Sequence, residues 1–223
     1  MKAELLCEHP RIELYQGDCL EILPSFPDKS FDLVLTDPPY GIGETNERNL
    51  SRGKCTNPKD YGNYQWDFSP MSRVQFEEIV ACSKNQIIFG GNFFDLPPSS
   101  CWIVWDKENG ASDFADCELA WTSFESAVRI FRFRWQGMLQ GDMKNKEIRK
   151  HPTQKPTPLF KWILKNYSKA VDLILDPFAG SGTTGVAAYK LNRNCTMIEL
   201  EPKYCDIIRK RIDVLARQER LFD

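Results

Sequence analysis

Residues 37–40 combine an acid, two prolines and an aromatic ring, a set that could do chemistry on an amine. Proline has no N–H group, so Pro38 and Pro39 cannot donate a hydrogen bond. The Asp37 carboxylate and the Pro38 carbonyl therefore form a cluster of acceptors, which suits an –NH2 group. The ring of Tyr40 offers a flat face beside it. Acceptors for an exocyclic amine next to a stacking plate describe a pocket for a nucleobase that is flipped out of its helix.

These acceptors could also activate the amine that they bind. The amino nitrogen of adenine or cytosine is a poor nucleophile because its lone pair is delocalised into the ring. Acceptors that pull on its two hydrogens favour a pyramidal nitrogen and stabilise the positive charge that develops in the transition state. Asp37 could then take the released proton. The alternative interpretation is an Asp-Pro turn that only ends a strand.

A second stretch that could bind a ligand is the glycine-rich sequence of residues 176–185. Gly180 and Gly182 let the backbone approach a ligand closely, and the helix predicted after them begins with free N–H groups. Residues 180–185 match G-x-G-x-x-G, and Glu199 follows at the spacing where an acid bonds the ribose hydroxyls of a nucleotide. We expect an adenosine-containing ligand here. NAD(P) and an ordinary strand-to-helix turn are the alternatives.

The order of the two stretches argues against NAD(P). A dehydrogenase usually carries its glycine-rich unit near the start of the chain, whereas this unit lies close to the C-terminal end. The chemistry is therefore expected from the N-terminal half, where Asp37 lies.

Short apolar stretches that alternate with helical patterns must position these residues. The predicted strands are 11–15, 31–36, 86–90, 101–105, 117–122, 128–134, 171–175 and 195–198, and the predicted helices are 71–83, 157–167, 183–191 and 202–217. The alternation indicates an α/β fold with a mostly parallel, twisted sheet. Ligands of such sheets bind beyond the carboxyl ends of the strands. Four predicted strand ends carry an acid, which predicts a polar ligand along that edge: Asp18, Asp37, Asp176 and Glu199.

The composition favours one folded, intracellular domain. The 223 residues are 42% hydrophobic and 12% aromatic, which is enough for a core. No apolar run suggests a signal peptide or a membrane span. The eight cysteines contain no C-x-x-C pair and only two histidines accompany them, so we expect no metal site.

The formal net charge of −2 conceals a basic segment. Residues 129–155 contain eight basic residues against two acidic ones, a net charge of +6, with three aromatic residues between them. Such a segment is often a solvated face, but the interleaved aromatic rings favour a surface for a polyanion. The predicted contacts are Arg129, Arg132, Arg134, Lys144 and Arg149.

The stretch after Tyr40 predicts a long loop. Residues 41–65 are rich in Gly, Asn, Pro and charge and have almost no periodic pattern. Loops of this length in a compact domain are generally functional or disordered. Because this loop directly follows Tyr40, we expect a mobile lid over that site.

Three motifs resemble one family when they are taken together. The chain is similar to the amino-methylating DNA methyltransferases of the N6-adenine and N4-cytosine family, in their circularly permuted, β-type order. The motifs are D-P-P-Y at 37–40, H-P-T-Q-K-P at 151–156 and D-P-F-x-G-S-G-T at 176–183. Residues 17–23 and 198–204 match further cofactor segments, and 87–94 and 102–107 resemble the phage and prophage branch. The resemblance spans essentially the whole chain and implies a Rossmann-like methyltransferase fold, with helices on both faces of the sheet, over a single domain of residues 1–223.

The resemblance implies S-adenosylmethionine as the cofactor and DNA as the partner. It assigns target-amine binding to Asp37 and Pro38 within the catalytic motif that also contains Pro39, and base stacking to Tyr40. For the cofactor site, which also includes Asp37, the resemblance implies that Asp18 binds the adenine amine and Glu199 the ribose hydroxyls. The methionine side of the cofactor is assigned to Asp176, Phe178, Gly180 and Gly182. Thr153 and Lys155 are expected near the cofactor carboxylate. His151 is interpreted as a structural part of its loop.

The implied reaction is site-specific methylation of the N6 of a flipped adenine in DNA. Methylation of cytosine N4 is the alternative, since those enzymes usually carry Ser where Asp37 stands, and a catalytically silent nucleotide-binding relative is another. RNA and free nucleotides stay open as substrates. Larger relatives insert a region that recognises the target sequence, and only residues 123–150 are available for it here. We therefore expect either a short recognition sequence or recognition that is shared with a second subunit. A homodimer and a cognate restriction endonuclease are open partners. We expect a cytoplasmic protein of a bacterium or phage.

Overall fold

The computed structural model of the protein describes residues 2–42, 69–110, 115–136, 139–151 and 153–219. Its centre is a nine-stranded sheet, accompanied by a two-stranded ribbon. The strands are β1 (Glu4–Cys7), β2 (Ile12–Gln16), β3 (Phe31–Thr36), β4 (Ser83–Phe89), β5 (Trp102–Asp106), β6 (Cys117–Thr122), β7 (Arg129–Arg132), β8 (Trp135–Gln136), β9 (Leu139–Gln140), β10 (Leu173–Asp176) and β11 (Asn194–Glu199). The helices are α1 (Cys19–Ile22), α2 (Arg73–Cys82), α3 (Thr157–Tyr167), α4 (Thr183–Tyr189) and α5 (Pro202–Glu219).

The predicted elements agree with these bounds to within a few residues. Helix α5 begins at Pro202 as expected, since proline fits the first position of a helix. Helix α2 begins after Ser72, whose hydroxyl accepts the Gln75 N–H at 3.2 Å while the Gln75 side chain accepts the Ser72 N–H at 2.8 Å. Strand β1, helix α1 and the β8–β9 ribbon were not predicted.

The sheet is mostly parallel, as predicted. Its order is β1-β2-β11-β10-β3-β4-β6-β5-β7, and β2, β11, β10, β3 and β4 form a continuous parallel block. Strand β6 is antiparallel to both of its neighbours, β4 and β5. The amino end of β6 therefore lies at the same edge as the carboxyl ends of the parallel strands.

Helices pack on both faces of this sheet, which confirms the predicted layers. Side chains alternate along a strand, so Leu33 and Leu35 enter one core cluster while Val34 enters the other. Residues of α3, α4 and α5 lie in the cluster of Leu33. Residues of α1 and α2 lie in the cluster of Val34.

Most of the predicted lid lies outside the residues that the structure describes. Residues 43–65 of the predicted lid lie outside the described residues, so the lid stays a prediction. Among the helices of the described ranges, none has the length and apolar character to cross a membrane.

Candidate active site

Four strand ends bring the predicted acids into one row. Strands β2, β11, β10 and β3 are neighbours in the sheet, and their carboxyl ends carry Asp18, Glu199, Asp176 and Asp37 in that order. All four line one cavity of about 970 Å³. The cavity therefore joins the glycine-rich turn to the Asp-Pro-Pro-Tyr stretch.

The glycine-rich turn is shaped by two left-handed residues. Gly180 has a φ of 53° and Gly182 a φ of 78°, conformations that residues with a side chain rarely adopt. A Cβ on Gly182 would also lie 2.9 Å from Ile208 of α5. The turn thus requires glycine at both positions, and Gly180 lines the cavity.

Glu199 closes this turn with both carboxylate oxygens. Oε2 accepts the Gly180 N–H at 2.6 Å and Oε1 accepts the Glu201 N–H at 2.8 Å. Burial raises the pKa of Glu199 to about 7, although these two N–H bonds favour the charged form. Each oxygen keeps a lone pair for a further donor. This arrangement fits two ribose hydroxyls.

Asp176 holds the start of the turn from inside. Its carboxylate accepts the Thr36 hydroxyl at 2.7 Å, the Phe178 N–H at 3.1 Å and the Thr184 hydroxyl. Burial raises its pKa to about 6, against the effect of these bonds. Asp176 therefore fixes the shape of the cavity wall, and Phe178, which also lines the cavity, is positioned by it.

Asp18 and Thr153 reach the same cavity from its two sides. Asp18 caps α1 by accepting the Leu20 N–H at 2.9 Å on Oδ1. The Thr153 hydroxyl lies 3.1 Å from Nδ1 of His151. Burial, and then the charges of Lys155 and Lys203, lower the pKa of His151 to about 3. A histidine that is neutral over the physiological range is consistent with the structural role expected for it.

Asp37 is held at both oxygens. Oδ1 accepts the Tyr40 hydroxyl at 2.6 Å, and Oδ2 lies 2.5 Å from Nζ of Lys155. Burial raises the pKa of Asp37, while the Lys155 charge opposes this shift. The Pro39 carbonyl accepts the Met71 N–H at 3.2 Å, which fixes the turn that presents the carboxylate.

Lys155 contacts the Asp-Pro-Pro-Tyr stretch directly. Its ammonium group contacts Asp37, the Tyr40 hydroxyl at 3.3 Å and Glu118 at 3.1 Å, and these contacts do not test its predicted place near the cofactor carboxylate. Burial alone would lower the pKa of Lys155, but the charges of Asp37 and Glu118 outweigh it and raise that pKa. The ammonium thus belongs to the Asp37 end of the cavity.

Sequence reasoning missed Glu118 and Lys107. Their ion pair measures 2.5 Å, and both line the cavity. Burial would raise the pKa of Glu118, but Lys155 and Lys107 together lower it. An acid at the amino end of a strand gives no signal unless that strand is known to be antiparallel.

The aromatic surroundings of Tyr40 were also missed. A Cβ on Gly90 would lie 2.2 Å from Cε1 of Tyr40 and 2.6 Å from both adjacent ring atoms, so Gly90 lies over the ring face. Phe93, which is 45% exposed, stacks on Tyr40 with ring centroids 5.0 Å apart. The available signal was the pair of glycines at residues 90 and 91, at the end of the predicted strand 86–90.

The predicted DNA contacts fall into two groups. Arg129, Arg132, Arg134 and Lys144 are exposed, the first two on the edge strand β7. Arg149 is half-buried: it donates to the Trp135 carbonyl at 2.5 Å, lies over that ring and lines the cavity. Arg149 therefore lies at the candidate site rather than with the exposed basic residues.

Sequence comparisons indicate the family. The family model described as DNA methylase (N6_N4_Mtase) matches residues 74–210, more than half of the chain. The type II methyltransferase M2.MboI of Moraxella bovis is 29% identical over 240 residues, covering 89% of this chain and 86% of the relative. The type II methyltransferase M.HinfI of Haemophilus influenzae is 28% identical over 248 residues, covering 89% and 67%.

Solved structures share the fold. The complex of M1.HpyAVI with S-adenosylmethionine has a TM-score of 0.56 at 22% identity and covers 91% of this chain and 99% of its own. The PvuII DNA methyltransferase, described as cytosine-N4-specific, has a TM-score of 0.54 at 17% identity and covers 91% and 93%. At these identities the likeness concerns the fold alone, and it confirms the predicted methyltransferase fold.

The cofactor prediction is confirmed at the level of the family, which uses S-adenosylmethionine. The left-handed glycines and the spare acceptor positions of Glu199 fit that group. With the family match from α2 to α5, the chain belongs to the N6/N4 family of DNA amino-methyltransferases.

Proposed function

We propose that this protein transfers a methyl group from S-adenosylmethionine to the exocyclic N6 of an adenine that is flipped out of DNA. The observation that carries this proposal is the continuity of one cavity from Glu199 to Tyr40. Its volume of about 970 Å³ lies at the upper end of the range of roughly 300–1,000 Å³ for a small-molecule site. A cavity of that size suits a cofactor and a base side by side.

At the cofactor end, we assign the ribose hydroxyls to the free lone pairs of Glu199. The adenine amine is assigned to Asp18, whose Oδ1 caps α1 and whose Oδ2 is the proposed acceptor. The wall along the methionine part consists of Asp176, Phe178, Gly180 and Gly182, as the resemblance implies. Thr153 is kept as the proposed contact of the cofactor carboxylate, and Lys155 is reassigned to the base end because of its contact with Asp37.

At the base end, the cofactor supplies an electrophilic methyl group and the protein prepares the nitrogen that receives it. Asp37 and the Pro38 carbonyl accept the two hydrogens of the amine, so that its lone pair is freed from the ring. As the N–C bond forms and the S–C bond breaks, the nitrogen releases a proton, which Asp37 accepts. Tyr40 stacks on the base, and the Pro38-Pro39 pair keeps backbone donors away from the acceptors.

Adenine is preferred over cytosine because of Asp37. Cytosine-N4 enzymes usually carry Ser at this position, by the resemblance described above. The fold does not discriminate, since the cytosine-N4-specific PvuII enzyme shares it. Cytosine N4 is therefore the rival outcome of the test below.

The remaining expectations stay proposals. We propose one methyltransferase domain over residues 1–223, with Arg132, Arg134 and Lys144 as an exposed DNA surface and Arg149 as a DNA contact in the cavity. Arg129 begins β7 and so lies towards the opposite edge of the sheet. A homodimer and a cognate restriction endonuclease are further predictions.

The test is identification of the product. The protein is incubated with labelled S-adenosylmethionine and unmethylated DNA, and the DNA is digested to nucleosides. We expect label in N6-methyl-2′-deoxyadenosine. Label in N4-methyl-2′-deoxycytidine would replace adenine by cytosine, and label in a parallel RNA sample but not in DNA would contradict the DNA substrate.

A further inference from the structure

A chain of alternating charges leads from Asp37 to the side of the cavity opposite the cofactor residues. Lys155 lies between Asp37 and Glu118 at 2.5 and 3.1 Å, and Glu118 lies 2.5 Å from Lys107. The side chains of Asp37, Lys155 and Glu118 are 17%, 5% and 23% exposed. Two acids and two bases thus balance each other in a mostly buried row.

We propose that Glu118 is a positioning residue for the methyl transfer: it holds Lys155 against Asp37 and so fixes the carboxylate that receives the target amine. This inference rests on the proposed function and deepens it, since nothing in the catalytic motif itself points to residue 118.

Lysine needs such a second anchor. Its flexible side chain carries about 2 kcal/mol of rotamer entropy, and its ammonium group is a point charge without a preferred fork geometry. With Asp37 as its sole acidic partner, the ammonium could follow any movement of that carboxylate. Glu118 gives the ammonium group a second acidic contact at 3.1 Å and thereby restricts where Lys155 lies.

Glu118 is itself anchored to the base end of the site. In β6 it pairs with Trp105 of β5, and the carbonyl of the next residue, Leu119, accepts the Gly90 N–H at 2.8 Å. Gly90 lies over the ring of Tyr40. One short stretch of β6 therefore holds both the carboxylate that fixes Lys155 and the backbone that supports Tyr40.

The charges around Asp37 predict how the loss of Glu118 changes the pKa of Asp37. Four groups interact with the Asp37 carboxylate: Lys155, Tyr40, Glu118 and Asp176. Lys107 acts on it through Glu118. The neighbouring His151 is neutral, since its pKa is about 3. Glu118 contributes to the raised pKa of Asp37, after burial. Removing its charge therefore lowers the pKa of Asp37, while the loss of the anchor lets Lys155 and Asp37 move.

The experiment compares Glu118→Gln with Glu108→Gln, which removes the same charge from an exposed position near the end of β5. Single-turnover methylation of DNA is measured against pH, and S-adenosylhomocysteine affinity is measured by calorimetry. We expect Glu118→Gln to lower the plateau rate by about tenfold to a hundredfold, the cost of a small misplacement at a reacting centre. Its acid limb should move to lower pH, because Asp37 must be ionised to accept the proton. Cofactor-product affinity should not change, and Glu108→Gln should match the wild type.

A merely structural role of Glu118 and a failure of the proposed function give different experimental results. A plateau rate and an acid limb that both match the wild type would overturn the inference, as would a loss of S-adenosylhomocysteine affinity as large as the loss of rate. If Glu118→Gln unfolds, Lys107→Gln decides by its plateau rate and its S-adenosylhomocysteine affinity, because it releases Glu118 from its outer partner while the Glu118 charge remains. The proposed function itself fails if the wild type makes no N6-methyladenine, or if Asp37→Ala keeps its rate.

Discussion

Single residues of the site differ in the groups that each acid and glycine faces. Asp37 and Glu199 line the same cavity, but their hydrogen-bond partners differ. Asp37 faces a hydroxyl and an ammonium group, and Glu199 faces two backbone N–H groups. The first set suits a carboxylate that handles a proton. The second suits a carboxylate that accepts hydroxyls.

Cofactor binding should depend on pH through Glu199. The pKa of Glu199 in the protein without cofactor is about 7. Ribose hydroxyls that donate hydrogen bonds to this carboxylate favour its ionised form. Below that pKa a proton must be released on binding, so S-adenosylhomocysteine affinity should fall as the pH falls, by up to about tenfold per pH unit. Calorimetry between pH 5 and 8.5, roughly the range that spans this ionisation, measures it.

Glu199→Gln is the control for that pH dependence. The variant should bind more weakly and lose the part of the pH dependence centred near 7, whereas Asp176, with a pKa of about 6, is unchanged in it. An undiminished pH dependence in Glu199→Gln would assign the titration to another group.

Gly90 provides a second residue-scale prediction. Gly90→Ala places a Cβ 2.2 Å from the Tyr40 ring, so the ring must move and stacking worth roughly 1–3 kcal/mol per base is weakened. Gly110→Ala is a matched control, because Gly110 also has a positive φ but nothing within 4 Å of its Cβ position. We expect kcat/KM for DNA to fall in Gly90→Ala alone. Equal kcat/KM values in the two variants would show that Tyr40 does not depend on this contact.

At the scale of elements, the orientation of β6 separates what the sequence could predict from what it could not. The parallel strands were recognisable as apolar runs that end in an acid, so Asp18, Asp37, Asp176 and Glu199 could be placed at one edge. The direction of β6 depends on its pairing with β4 and β5, which is a long-range property. Glu118 at its amino end was therefore not recognisable. The contact of Lys155 with Glu118 was not recognisable for the same reason.

Helix α3 begins with a cap from a distant segment. Glu147 accepts the Thr157 N–H at 2.9 Å and the Thr157 hydroxyl at 2.6 Å, and its own N–H bonds the Gln140 side chain at 2.9 Å. Glu147→Ala should therefore lower the free energy of unfolding by about 1 kcal/mol, the usual cost of losing a helix cap. Glu147→Gln keeps a capping oxygen and should lose less. Denaturant unfolding measures both, and equal losses would contradict the cap.

At the scale of the whole molecule, the charge distribution predicts which edge meets DNA. Replacing Arg132, Arg134 and Lys144 by Gln should reduce the salt dependence of DNA binding by about one unit of slope per lost phosphate contact. Lys165, Lys169 and Lys190 are an exposed control set with the same charge change. They follow or end α3 and α4, and so lie towards the amino edge of the sheet. A larger reduction of the salt dependence in the control set would place the DNA-binding surface at the amino edge instead.

The central claim is that Asp37 acts on the target amine and not on the cofactor. Asp37→Ala leaves Lys155 paired with Glu118, so the buried ammonium keeps an acidic partner and the variant should fold. The decisive measurement is its single-turnover methylation rate on DNA, with S-adenosylhomocysteine affinity determined on the same sample. We expect a loss of about a hundredfold or more in rate, typical for removal of one preorganised transition-state partner, at nearly unchanged affinity. A wild-type rate, or a loss of affinity that accounts for the loss of rate, would contradict it.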